Sequence, residues 1–326
     1  MSESMTAEPD AESRLAHFPV TFFAVVMGLM GLSLACHAGA ALWPALGRAA
    51  EAAMWLGIGV FLAIAGIYAL KLLRHPAAVA GEWRHPVKLA FFPAVSISLL
   101  LMATALLPLY PGAAHAVWWL GAAGQAVLTL AVVSGWIGHR SFEVGHLTPA
   151  WFIPAVGNVI VPVAGVPLGH VELSWLFFSA GLVFWVVLLT LVMNRLVFHD
   201  PVPARLFPTL VILIAPPAVA FVAYVQLAGG LDAFARILLN AAYVFAALVA
   251  VQVPRLARLP FALSFWALSF PIAALAIASF RYGALAGSPA HGWIGAAVLA
   301  LLTAVVAGLL LRTGRAIARG EICRPE

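Results

Sequence analysis

The apolar residues of this chain come in ten blocks, each near the ~20 residues that a helix needs to cross about 30 Å of hydrocarbon. They fall at about 18–42, 50–73, 87–109, 114–138, 147–168, 172–197, 206–228, 233–253, 260–283 and 291–313, with short polar stretches between them. The pattern predicts an all-α, polytopic membrane protein of ten transmembrane helices. The fifth block carries Pro149, Pro154, Pro162 and Pro167, so part of it is expected to be unwound.

Prolines divide the blocks into two kinds. The odd-numbered ones hold Phe18-Pro19, Phe92-Pro93, Ile153-Pro154, Ala215-Pro216-Pro217 and Phe270-Pro271, whereas the even ones have no internal proline. Proline removes a backbone donor and wedges its turn open, which costs roughly 3 kcal/mol in an ordinary helix interior. In hydrocarbon the loosened carbonyl is tolerated only where protein or a water-filled cavity receives it. Successive prolines stand about one helical hairpin apart. The expected architecture is therefore five hairpins, with an inner ring of kinked helices around a central pore and an outer ring of smooth ones. The stretch Leu259 to Tyr282 is the sharpest case, because Pro271 should free the carbonyl of Ala267 beside the large ring of Phe270.

Composition agrees with the pattern. Of 326 residues 64% are hydrophobic and 9% charged, against about 25% charged in soluble domains. The net charge of +5 would suit a nucleic-acid partner, but the basic residues lie in short loops, where topology accounts for them and no nucleic acid is expected. All but three of the 17 Lys and Arg, Arg140 and Arg324 among them, fall on the side of the two termini, leaving Arg48, Arg236 and Arg281 opposite. That bias predicts cytoplasmic N- and C-termini and a multi-pass protein of the bacterial inner membrane. Residues 1–16 read as a disordered tail without the features of a secretory signal, 17–314 as the ten-helix domain and 315–326 as a second cytoplasmic tail. Cys36 and Cys323 are too few and too separated for a disulfide framework or metal cage, and no histidine pair has helical ligand spacing inside a block. No metal, cofactor or enzymatic activity is expected.

Small or polar residues that could line a path are Gly28, Gly31, Ser96, Ser98, Gly157, Asn158, Ser264 and Ser269, with Pro93, Pro154, Pro216 and Pro271 at the kinks. Serines often bond back to their own helix, while the Asn158 amide must find partners inside the protein. No Asp, Glu, Lys or Arg stands in the middle of any block. Proton-linked carriers use such groups as relays, so passive conduction fits better. The Lys and Arg of the cytoplasmic mouth would concentrate anions. Loosened carbonyls would attract cations, helix N-termini offset them, and the balance favours anions.

FPVTFFAVVMGL (18–29), LAFFPAVS (89–96), AVGN (155–158), IAPPAVAFVAY (214–224) and FWALSFPIAALAIASFRY (265–282) occur in this order. Together they make the chain resemble the tellurite-resistance/dicarboxylate transporter family, which includes the bacterial TehA proteins and the plant guard-cell slow anion channels. The resemblance implies a homotrimer with one pore per subunit, conduction of small anions such as chloride and nitrate, and a phenylalanine gate on the ninth helix. The matching position is Phe270. Phe265 is the competitor, but five residues at about 100° each turn it some 140° away. A secondary carrier for C4-dicarboxylates, sulfite or tellurium oxyanions is the alternative that the family carries.

Overall fold

The computed structural model describes residues 11–138 and 142–323, and among them every regular element is helical. In chain order the membrane segments are α1 (Val20–Gly39), α2 (Leu46–Arg74), α3 (Lys88–Leu106), α4 (Pro111–Ile137), α5 (Pro149–Gly165), α6 (Val171–Phe198), α7 (Phe207–Leu227), α8 (Ala233–Ala250), α9 (Leu263–Ala286) and α10 (Pro289–Ala318). All but α5 are long and apolar enough to span a bilayer; α5 is apolar but shorter. Arg140, Arg324 and residues 1–10 of the expected N-terminal tail lie outside the described residues, while Ala11–Ala16 forms a short helix. The Arg14 guanidinium rests against Gly320, so both ends of the described chain share one side, as an even number of crossings requires.

Each odd helix packs on the even helix that follows it, and α1, α3, α5, α7 and α9 contact one another in a closed ring. Burial separates the two rings. In the long odd helices 67 to 78% of the apolar window is buried, against 22 to 33% in the even ones. Large exposed apolar side chains such as Leu62, Leu130, Val183, Val244 and Leu311 sit on the even helices. On a soluble protein such a surface would be a liability; here it is the surface that meets lipid.

Close approach between the rings depends on small residues, as in membrane helix pairs generally. A Cβ built on Gly57 of α2 would lie 2.6 Å from Met30 Cε of α1, and one on Gly121 of α4 would lie 3.0 Å from the Leu100 nitrogen of α3. On α10, Gly295 likewise leaves room for the ring of Phe280 on α9.

The kinks take a specific form. Inner helices begin as 3-10 helix and turn into α-helix part-way: Val20–Phe22 before Phe23–Gly39, Lys88–Phe91 before Ala94–Leu106, Phe207–Ile214 before Ala215–Leu227 and Leu263–Leu268 before Ser269–Ala286. Segment α5 alternates, with 3-10 turns at Pro149–Trp151 and Gly157–Ile160. Within α3, α7 and α9 the kink prolines stand where the 3-10 part gives way to the α part. Pro93 caps the α-part of α3, and Pro216, Pro217 and Pro271 stand in the first turn of theirs.

Candidate functional site

The inner ring lines a partly open cavity of about 70 Å³, room for a handful of waters at ~10–15 Å³ each. Its wall draws on all five odd helices, with Thr21, Ala24 and Met27 from α1, Phe91 and Ile97 from α3, Ile153, Val156 and Gly157 from α5, Ala215, Pro216 and Val219 from α7, and Ala267, Phe270 and Pro271 from α9 among its residues. The even helices contribute none. Among the described residues no lining side chain is charged, and Thr21 and Ser264 carry the hydroxyls of the wall.

Phe270 stands at one end of this space. A Cβ built on Gly31 would lie 3.6 Å from Phe270 Cδ2, which sets the ring beside Gly31, whereas the α1 lining stops at Met27. The cavity therefore extends from Phe270 toward the N-terminal ends of the inner helices. Phe265 is buried elsewhere, with its ring centroid 6.0 Å from that of Phe261, and is not part of the wall. The two rings therefore do not share the cavity wall.

Of the other sequence-derived positions, Gly157, Pro216, Ser264 and Pro271 line the cavity, and the rest are not among its lining residues. Gly28 lets α1 meet α9, since a Cβ there would lie 2.5 Å from Ser269 Oγ and 2.9 Å from Trp266 Cε3. Ser269 is fully buried and donates to the Trp266 carbonyl at 2.6 Å. Pro93, Ser96, Pro154 and Asn158 belong to a polar network that joins α3, α4 and α5.

That network satisfies the broken backbone of α5. Thr129 Oγ1 donates to the Pro154 carbonyl at 2.7 Å and Gln125 Nε2 donates to it at 3.1 Å. Asn158 Nδ2 donates to Thr129 Oγ1 at 3.1 Å and to the Ala155 carbonyl at 2.7 Å. The Ser96 hydroxyl lies 2.7 Å from Gln125 Oε1 and 2.9 Å from the Pro93 carbonyl. The Asn158 amide thus faces the outer ring. Gln125 stands directly behind the cavity wall, 3.0 Å from a Cβ built on Gly157. Sequence reasoning passed over Gln125 and Thr129, although an amide inside an even block was a legible signal, being expensive in lipid unless paired.

A second unforeseen feature is ionic. Lys71, near the end of α2 and only 1% exposed, pairs with Glu82 of the short helix Pro76–Arg84 at 3.0 Å and donates to the Phe18 carbonyl at 2.8 Å. Tyr68 donates to the same Glu82 carboxylate at 2.8 Å. Both charges are desolvated, so pairing and the extra hydrogen bonds are what make their burial tolerable.

A family model described as voltage-dependent anion channel (SLAC1) matches residues 17–314. The chain is 27% identical to the S-type anion channel SLAH3 of Arabidopsis thaliana over 92% of its own length, and spans 48% of that protein. It is 27% identical to the tellurite resistance protein TehA homolog of Haemophilus influenzae, with 79% of each chain covered. With the guard cell S-type anion channel SLAC1 of Arabidopsis thaliana it shares 23% identity over 85% of this chain and 52% of that one. With its ordered inner-ring motifs, its two-ring helical fold and a family match that spans the whole membrane region, this chain belongs to the voltage-dependent anion channel (SLAC1) family, to which the TehA proteins are related.

Proposed function

We propose that this protein is a passive channel for small monovalent anions such as chloride and nitrate, closed by Phe270. The observation that carries the reading is the cavity bounded by all five inner helices and ended by the Phe270 ring. The family and these relatives support anion transport in general, and they are known as channels and transporters rather than enzymes.

An apolar wall without charged side chains suits conduction, because an ion that is held weakly can leave. It does not suit a proton-linked carrier, which needs a titratable group in the path. Lys and Arg at the side of the termini raise the local anion concentration and give entry its sign. On this reading the termini are cytoplasmic, the protein sits in a bacterial inner membrane, and three copies assemble, each with its own pore.

Purified protein in a planar bilayer tests the proposal. Under asymmetric chloride the reversal potential should follow the anion gradient and ignore a cation gradient. Saturating flux that a proton gradient drives, with no conductance, would instead identify a carrier.

A further inference from the structure

We propose that the Thr21 hydroxyl is the side-chain donor that meets the permeating anion on the N-terminal side of Phe270, and that it sets which anions pass. The inference deepens the proposed conduction and rests on it.

Among the described residues the cavity wall carries two hydroxyls, those of Thr21 and Ser264. Ser264 has its one hydrogen committed to the Arg205 carbonyl. Thr21 has no hydrogen-bond partner for its side chain among the described residues, although helical threonines normally bond back along their own helix. Thr104, Thr190 and Thr303 do so to the carbonyl four residues earlier, at 2.8, 3.0 and 2.9 Å, and Thr209 to the one three residues earlier at 2.6 Å. For Thr21 the carbonyl three residues earlier belongs to Phe18. That oxygen is already held by the buried ammonium of Lys71 at 2.8 Å. In this turn the Phe18 oxygen accepts from Lys71 and not from the Thr21 hydroxyl.

The turn that carries Thr21 is also rigid. Phe18 and Phe22 stack with centroids 4.5 Å apart, and Val20 and Phe22 on either side of Thr21 are buried. Only Thr21 of this 3-10 turn lines the cavity. An anion entering an apolar space loses water and gains little in return. One fixed O–H on that path replaces a water, and its worth is greatest for the anion that holds water most tightly. Chloride is more strongly hydrated than nitrate, so the hydroxyl favours chloride.

The test uses the full chain with Phe270→Ala as the conducting background, measured in planar bilayers under chloride and nitrate. Adding Thr21→Val, which keeps the shape and removes the donor, should raise the nitrate-to-chloride permeability ratio about threefold or more, within the worth of one hydrogen bond to an ion. Adding Thr21→Ser, which keeps the donor, should restore the ratio toward that of Phe270→Ala. An unchanged ratio in Thr21→Val, or the same rise in both variants, overturns the assignment. Absence of anion current in Phe270→Ala itself contradicts the conduction reading and the inference with it, an outcome distinct from current with an unaltered ratio.

Discussion

Gly31 of α1 and Phe270 of α9 are fitted to each other: a Cβ built on Gly31 would lie 3.6 Å from Phe270 Cδ2, an ordinary contact, but 2.8 Å from the Cβ of Ala273 one turn on. The seat of the Phe270 ring is set by how closely these two inner helices approach. Gly31→Ala must push them apart by a few tenths of an ångström. Overpacking of this kind costs about 1–3 kcal/mol, so thermal unfolding in detergent should shift downward and basal anion current should rise. Ala273→Gly in the same chain removes the clash and should reverse both effects.

The ion pair under α1 is buried at both ends. Lys71→Met leaves Glu82 buried with Tyr68 as its remaining partner and should destabilise the protein by about 3–5 kcal/mol. Lys71→Met combined with Glu82→Leu should recover most of that loss. Thermal unfolding of the two single variants and the double gives the coupling; simple additivity would contradict a buried pair.

Gln125 and Thr129 both donate to the Pro154 carbonyl. Gln125→Leu or Thr129→Val alone leaves one donor in place, and each should cost about 1–3 kcal/mol. Together they strand the carbonyl of the helix break, so the double variant should lose more than the sum. A double that loses only the sum would mean that the two donors act independently.

How much of this could be read from the chain depends on the distance at which each cause acts. The inner ring was legible because a missing proline N–H is local: Pro93, Pro154, Pro216 and Pro271 mark their own helices whatever surrounds them. The form of the kinks was not, because a change from 3-10 to α-helix ahead of Pro271 depends on neighbours that accept the altered pitch. Asn158 was correctly marked as an amide needing partners, but its partner Thr129 lies on another helix. The unbonded hydroxyl of Thr21 was out of reach altogether, since it depends on which acceptors the folded turn brings near it, and the Lys71 bond to Phe18 comes from the far end of α2.

On the face opposite the termini, Asp232 caps α8 by accepting from the Ala235 N–H at 2.8 Å and from the Tyr224 hydroxyl at 2.5 Å. The Ala235 bond first, and the Tyr224 bond after it, hold the carboxyl below its ordinary range. A lowered folded value means that the stabilisation is present above the ordinary carboxylate pKa of about 3.9 and drains as pH falls through the lower folded value. Asp232→Asn should therefore be less stable than the parent at neutral pH, with the gap closing in acid below roughly pH 4. A gap that does not change with pH would remove the carboxylate from the account.

The central claim is that the Phe270 ring closes the path, and single-channel recording of Phe270→Ala against the unaltered chain tests it most directly. Opening against a barrier of about 1.5–3 kcal/mol, the scale of one buried Phe side chain, corresponds to roughly a 10- to 200-fold difference. The account predicts anion conductance higher by at least the lower of these factors in Phe270→Ala, with Phe265→Ala close to the unaltered protein. Equal conductance in Phe270→Ala and the parent, or a larger rise in Phe265→Ala, would contradict it.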